Sequence, residues 1–106
     1  MIKVLFNEKA NKDLIEIVSG LMIWKVYNFD REQAIKYKDS IVAAARKLET
    51  KKRHTKCSYE RHLLYGSYVY KYNRNKMTTW YIIYNIDEIN HYILIEKIMS
   101  NHQTDR

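Results

Sequence analysis

Residues 79–86, with the sequence TWYIIYNI, limit the fold of this chain more than any other stretch. All but one of these eight side chains are aromatic or β-branched, and side chains of both kinds favour an extended backbone. We therefore predict that this run is a β-strand at the centre of a sheet.

A second strand is predicted directly after this run. Residues 87–90 form a polar connection of hairpin length, and residues 91–99 follow as an antiparallel partner. Regular alternation would place Ile93, Ile95 and Lys97 on one face of that strand.

A third strand is predicted upstream, over residues 67–72. Three tyrosines fall on one of its faces, while Val69 and Lys71 fall on the other. The three strands together would form an antiparallel meander.

The first half of the chain predicts one strand and one helix. Residues 2–6 are apolar enough for a short strand, and Asn7 then stands where a helix N-cap is needed. A helix is expected to run from there to about Trp24, because apolar residues recur at helical spacing. The stripe consists of Leu14, Ile15, Val18, Leu21 and Met22.

A second helix is predicted from its N-terminal signals. Asp30 followed by Gln33 is the pattern of a capping box, and Phe29 stands at the position of a hydrophobic staple. The expected buried face consists of Ala34, Ile35, Ile41, Val42, Ala45 and Leu48. The short link between the two helices implies an antiparallel helical hairpin.

These elements predict a single α+β domain over residues 1–106, a length that suits one core. It consists of an N-terminal strand, a helical hairpin and a three-stranded antiparallel meander that together form one curved sheet. The first strand would join an edge or the centre of the sheet, and the strand order stays open. Residues 51–61 have no clear period and are interpreted as a mobile connection.

The positive charge of the chain is concentrated in one block. The net charge is +7, and residues 51–76 contain eight basic side chains and one acidic side chain. Such a block suits nucleic acid or an acidic protein partner, although an exposed, solvated loop has the same composition. The candidate nucleic-acid contacts are Lys51, Lys52, Arg53, Lys56, Arg61 and Lys76.

Cysteine usage and hydropathy favour a cytoplasmic protein without a metal or cofactor. Cys57 is the only cysteine, so no internal disulfide forms, and no Cys/His spacing is that of a zinc site. Residues 1–6 lead directly into strand-like sequence, so we expect neither a signal peptide nor a membrane span.

No phosphate loop, nucleophile elbow or His-Glu metal motif is present, so any catalysis would use isolated side chains. Acid–base cleavage of RNA needs a base, a cation for the phosphorane and an acid. The side chains available for these roles are Glu60, Lys71, Arg74, Lys76, His91 and His102. Each of them is also an ordinary surface residue type.

The tyrosines near the basic block offer rings on which bases could stack. They are Tyr65, Tyr68, Tyr70, Tyr72, Tyr81 and Tyr84. Half of these rings are equally well explained as core, Tyr84 above all, and the same holds for Trp80.

Four segments of the chain form a recognisable set: the opening strand with residues 7–14 after it, LLYG at residues 63–66, WYIIYNID at 80–87 and the closing ILIEKI at 93–98. With these segments, nearly the whole chain resembles the RelE/ParE superfamily of toxins from bacterial type II toxin–antitoxin modules. It implies a compact basic fold that is neutralised by a cognate antitoxin protein. It also implies either metal-independent mRNA cleavage on the ribosome or inhibition of DNA gyrase.

The resemblance implies roles for particular residues. Lys71 matches a strand lysine of the RelE-like enzymes, and Glu60 and His102 lie near the glutamate and C-terminal histidine of the YoeB-like branch. Tyr81 replaces the family's strand arginine, and Arg74 or Lys76 would supply the missing cation. Residues 100–103 replace its arginine-rich end.

The leading hypothesis is an mRNA interferase, with Glu60 or His102 moving protons and Lys71, Arg74 and Tyr81 at the phosphate and base. A ParE-like, non-enzymatic gyrase inhibitor is the first alternative. The second alternative is a catalytically inactive module of the same fold that binds protein or nucleic acid.

Overall fold

The computed structural model describes residues 2–23 and 29–101 of the chain. The elements in chain order are β1 (Lys3–Phe6), α1 (Glu8–Ile23), α2 (Arg31–Arg46), the 3-10 helix η1 (Lys47–Glu49), β2 (Thr55–Lys56), α3 (Glu60–Leu63), β3 (Tyr68–Asn73), β4 (Thr79–Asp87) and β5 (Tyr92–Ser100).

The strands form one mixed five-stranded sheet in the order β1-β5-β4-β3-β2. The run that anchored the sequence prediction is β4, which lies at the centre between β5 and β3 and pairs antiparallel with both. Strand β1 pairs parallel to β5 at one edge, and the helical hairpin leads the chain from β1 to β2 at the opposite edge. The α+β class is confirmed, although the sheet is wider than the predicted meander.

The segment predicted as an unstructured connection contains two elements. Residues 55–56 form β2, which pairs with β3 at the other edge, and α3 follows at residues 60–63. The prediction failed because a two-residue strand and a one-turn helix are too short to have a measurable period.

Both predicted helix starts are confirmed. The Asn7 side-chain oxygen accepts a hydrogen bond from the Ala10 backbone nitrogen at 2.8 Å. In α2, Asp30 accepts from the Gln33 backbone nitrogen at 2.8 Å, and the Gln33 side chain accepts from the Asp30 nitrogen at 3.0 Å. The predicted end of α1 at Trp24 lies outside the described residues.

The predicted apolar stripe of α1 was partly wrong. The helix buries Ala10, Leu14, Ile17 and Leu21 against the sheet. By contrast, the Ile15 side chain is 68% exposed and Met22 is also exposed. Two overlapping apolar stripes run along this helix, and the one that contains Ala10 meets the sheet.

In α2, most of the predicted buried face is confirmed. Ala34, Ile41 and Ala45 are buried, and so is Leu48 in η1. Ile35 and Val42 are only half-buried, and their expected places belong to Tyr37 and Ala44.

Most of the core lies between the helices and one face of the sheet. Trp80 and Tyr84 are buried there as predicted, together with Ile82 between them. The Trp80 indole nitrogen donates to the Tyr37 hydroxyl at 3.0 Å, which links β4 to α2.

A smaller core lies on the opposite face of the sheet, which we call the open face. It consists of Cys57, Val69 and Ile83, with Tyr65, Tyr81 and Met99 packed against it. Because Ile83 is fully buried, the segment that contains α3 must cover this part of the open face.

A β-bulge in β5 changes the predicted alternation. Ile83 pairs with Lys97 and Tyr84 pairs with Ile95, so Glu96 is the extra residue. The bulge keeps Ile98 on the helix side of the sheet with Ile93 and Ile95. It places Lys97 beside Tyr65 on the open face, from where its ammonium also reaches Asp13 on α1.

Asp13 on α1 holds the bulged part of β5, and its loss should destabilise the fold. Its buried carboxylate accepts from the Ile98 backbone nitrogen at 2.9 Å and from the Lys97 ammonium at 2.8 Å. Asp13→Ala leaves both donors unpaired, so we expect the free energy of unfolding to fall by about 2–4 kcal/mol.

Urea denaturation measures this loss, and Glu16→Ala on the exposed side of the same helix is the control. The control should change stability by less than about 0.5 kcal/mol. Equal stability of the two variants would contradict the role given to Asp13.

Candidate nucleic-acid interface

Lys71 and Tyr81 lie opposite each other on the open face of the sheet. They are cross-strand partners in the pairing of β3 with β4, one register step beyond the pair formed by Tyr70 and Ile82. Side chains that face each other in this way lie within about 5.5 Å at their Cβ atoms. The Lys71 ammonium is exposed and the Tyr81 ring is half-buried, so a cation and an aromatic ring share one accessible place.

The segment around α3 approaches this pair because Gly66 allows close packing on β4. A Cβ atom at position 66 would lie 2.9 Å from Ile83 Cγ2 and 3.0 Å from the Tyr84 carbonyl oxygen, which is too close. Two hydrogen bonds at Ser67 hold the same segment. The Cys57 backbone nitrogen donates to the Ser67 carbonyl, and the Ser67 backbone nitrogen donates to the Asn85 side-chain oxygen.

His62 on α3 completes the cluster, and sequence reasoning missed it. Its side chain is 1% exposed and lies between the rings of Tyr59, at 5.3 Å between centroids, and Tyr81, at 4.7 Å. Neither ring nitrogen of His62 has a hydrogen-bond partner in the described part of the chain. Burial lowers the pKa of His62, and the charges of Arg61 and Lys71 lower it further.

The available sequence signal for His62 was its spacing. Tyr59 and His62 stand three residues apart, which places two side chains on one side of a single helical turn. That turn was interpreted as part of a loop, so the spacing carried no weight.

The other predicted catalytic residues lie in different places. Glu60 is exposed in the first turn of α3 and Arg61 is half-buried beside it. The Arg74 guanidinium lies 4.6 Å from the centre of the Tyr37 ring on α2, which is on the helix side of the sheet. Arg74 and Lys71 were expected at one phosphate, and the structure does not bring them together. His102 lies outside the described residues.

The predicted nucleic-acid contacts are spread around the β2–β3 edge of the sheet. The Lys51 ammonium lies 5.5 Å from the centre of the Tyr70 ring, on the helix side. Four more residues of the set have exposed side chains: Lys52, Arg53, Lys56 and Lys76.

The tyrosine platform is split between the two faces, because strand residues alternate. Tyr68, Tyr70 and Tyr72 pack toward the helices, and Tyr68 stacks on buried Tyr84 with 5.6 Å between centroids. Only Tyr65 and Tyr81 of the predicted set lie against the open face.

His54 joins the start of the basic block, residues 51–76, to the core on the helix side of the sheet. Its Nδ1 atom lies 2.8 Å from the Tyr84 hydroxyl, and its ring packs edge-on against Tyr68 and Tyr84. Burial lowers the pKa of His54 and the charge of Lys51 adds to the effect. Burial also raises the pKa of Tyr84 well above its usual range, with smaller contributions from Tyr68 and Cys57.

The lowered pKa values of His54 and His62 predict that the fold loses stability in mild acid. Between the ordinary histidine pKa of 6.5 and the lower folded values, the unfolded chain binds protons that the folded chain does not. The free energy of unfolding should therefore be constant above neutral pH and fall as the pH drops below about 6.5.

Urea denaturation at pH 7.5 and pH 5.5 measures this dependence. The variant His62→Phe should show a weaker dependence than the wild-type chain. A wild-type unfolding free energy that is equal at the two pH values would contradict the burial of these two rings.

A second surface feature lies on the helical hairpin. A groove between α1 and α2 has an apolar floor, and Arg31 and Lys38 stand at its side. Its other lining residues are Asn11, Leu14, Ile15, Val18, Ser19, Met22 and Ile35.

Residues 2–23 and 29–101 contain neither a group of metal-ligand side chains nor a membrane-spanning helix. No three His, Cys, Asp or Glu side chains there are grouped as a metal site would require. None of the helices in those ranges is long and apolar enough to cross a membrane.

Comparison of the chain with protein-family models, with curated proteins and with solved structures finds no match in any of the three.

Proposed function

We propose that this chain is the toxin of a type II toxin–antitoxin module, similar to the RelE/ParE superfamily, and that it cleaves mRNA on the ribosome. The observation that carries this proposal is the cluster of Lys71, Tyr81 and His62 on the open face. Acid–base cleavage of RNA can use an imidazole for proton transfer and a cation for the developing phosphate charge, while the aromatic ring offers a stacking surface for a base.

The roles follow from the chemistry of each group. The Lys71 ammonium is exposed and suits the negative charge that develops on the phosphorus in the transition state. The half-buried Tyr81 ring offers a stacking surface for a base beside that phosphate. Exposed Glu60 on α3 and His102 remain candidates for proton transfer, and no metal ion is needed.

The surrounding charge supports binding to RNA. Lys56 lies on β2, the strand next to β3, and Lys76 lies in the β3–β4 loop. Both side chains are exposed. Contacts of this kind bind phosphates regardless of sequence, and binding that depends on them weakens as salt rises.

A cognate antitoxin belongs to the same proposal. The groove on the helical hairpin suits an amphipathic helix, because its floor contains Ile15, Val18 and Met22. Arg31 and Lys38 at its side favour a helix with acidic residues. We expect the product of a neighbouring gene to co-purify with the chain when the two are co-expressed.

Induced expression in a bacterial host tests the proposed reaction. The expected result is growth arrest with new mRNA ends and without a DNA-damage response. Co-expression of the neighbouring gene should relieve the growth arrest and remove the new mRNA ends. Intact mRNA together with a DNA-damage response would instead indicate a gyrase inhibitor. Normal growth without either signal would contradict the toxin proposal.

A further inference from the structure

The imidazole of His62 stands out because the fold buries it without satisfying it. Nearly all buried polar side-chain atoms in proteins have a hydrogen-bond partner, and an unsatisfied one destabilises the fold. Both ring nitrogens of His62 lack one within the described part of the chain, although Tyr59 and Tyr81 pack directly on the ring. A catalytic role is one of the established explanations for such a group in a native fold.

The cover over this imidazole is weakly held. Tyr59 is 55% exposed, and its side chain makes no capping hydrogen bond to the helix that it precedes. Its ring meets the His62 ring edge-on, with 86° between the two planes. A nucleobase that stacks on Tyr59 can draw this ring away at little cost, since one aromatic contact replaces another.

We propose that His62 is the general base of the cleavage reaction, and that Tyr59 is a movable cover that RNA displaces to reach it. This inference rests on the proposed function. In the step, a neutral nitrogen of His62 takes the proton of the ribose 2′-hydroxyl while the 2′-oxygen forms a bond to phosphorus. The bond from phosphorus to the 5′-oxygen breaks, and that oxygen takes a proton from water, which leaves a 2′,3′-cyclic phosphate and a 5′-hydroxyl.

The groups around His62 suit a base rather than an acid. Tyr59 and Arg61 approach it from α3, Lys71 from β3 and Tyr81 from β4, so the neighbouring formal charges are positive. Together with burial they keep the ring neutral near pH 7, which is the form that accepts a proton. A phosphate bound at Lys71 would offset the positive charge of its ammonium. The His62 ring could then take up a proton more easily as the reaction proceeds.

The first test combines stability with activity in the variant His62→Phe. Phenylalanine keeps the aromatic packing and removes the two unsatisfied nitrogens, so the melting temperature should rise. Cleavage of a defined mRNA on purified ribosomes should fall about 10²-fold, because the base is gone. Unchanged cleavage by His62→Phe would overturn the proposal.

The matched control is His54→Phe. His54 is half-buried, and it is bonded to the Tyr84 hydroxyl, which phenylalanine would leave unpartnered. The control should therefore lower the melting temperature and leave cleavage per folded molecule unchanged. Equal losses of cleavage in the two variants would show a general effect of altered histidines and overturn the proposal.

The second test follows protonation of the ring itself. In an NMR titration, Tyr59→Ala should raise the pKa of His62, because water then reaches the imidazole. Binding of a short RNA whose reactive 2′-hydroxyl is replaced by hydrogen should raise it as well. A pKa that neither change moves would overturn the idea of a movable cover.

The pH dependence of cleavage separates this inference from the proposed function. Wild-type cleavage should rise with pH and then level off, and His62→Gln should lose the rising limb. If the wild-type chain cleaves and the limb persists in His62→Gln, the base is another residue and the proposed function stands. If the wild-type chain does not cleave at all, both fail.

Discussion

The variant Ile83→Asp should not fold. Ile83 is fully buried at the centre of β4, under the segment that contains α3, and belongs to the smaller of the two cores. An aspartate there would be an unpaired charge without water, at a cost of at least about 3 kcal/mol. Since small domains are stable by only about 5–15 kcal/mol, and lost packing adds to the cost, the folded state should not be populated.

Circular dichroism and urea denaturation measure the outcome for purified protein. Ile89→Asp is the matched control, because Ile89 is 89% exposed in the β4–β5 turn and should tolerate the charge. A soluble Ile83→Asp variant with a cooperative unfolding transition would show that the open-face core is not part of the folded structure.

The variant Lys71→Ala should lose activity and keep its fold. Removal of a cation that stabilises the transition state typically lowers the rate about 10²- to 10³-fold. Because the Lys71 side chain is exposed, the free energy of unfolding should change by less than about 0.5 kcal/mol. The measurements are the cleavage rate on purified ribosomes and the urea denaturation midpoint.

Arg74→Ala is the matched control for Lys71→Ala. From the sequence the two residues were expected to share one phosphate, but the Arg74 guanidinium packs on Tyr37 at the other side of the sheet. Its loss should leave cleavage nearly unchanged and weaken the fold slightly through the missing cation–π contact. If Arg74→Ala reduces cleavage as much as Lys71→Ala does, the open face is not the reaction site.

The sequence predicted the parts of the fold that local signals determine. The caps at Asn7 and Asp30 and the central strand predicted over residues 79–86 are confirmed because hydrogen-bonding side chains and β-branched runs act over a few residues. The parallel pairing of β1 with β5 joins strands that the helices and three other strands separate in the chain, so no local pattern indicates it.

Errors in the predicted burial arose where tertiary packing decides between similar local choices. Along α1, the stripe with Ile15 and Met22 and the stripe with Ala10 and Ile17 are both apolar, and contact with the sheet selects the second. In β5 the bulge at Glu96 reverses the alternation, and Asn7 and Asn85 both donate to that carboxylate.

The candidate site was predictable only in part. Lys71 and Tyr81 were named from the family resemblance, and the register of β3 with β4 places them together. The positions of Arg74 and His62 were not predictable, since a loop and a one-turn helix determine them. Functional residues in such short elements can be located only from the folded structure, because the elements are too short to show a hydrophobic period in the sequence.

The most direct test adds purified protein to ribosomes stalled on a defined mRNA and maps the RNA ends by primer extension. We predict new ends within the codon in the ribosomal A site, which appear with the wild-type chain and with Arg74→Ala. They should be reduced about 10²- to 10³-fold with Lys71→Ala. Intact mRNA after incubation with the folded wild-type chain would contradict the nuclease account.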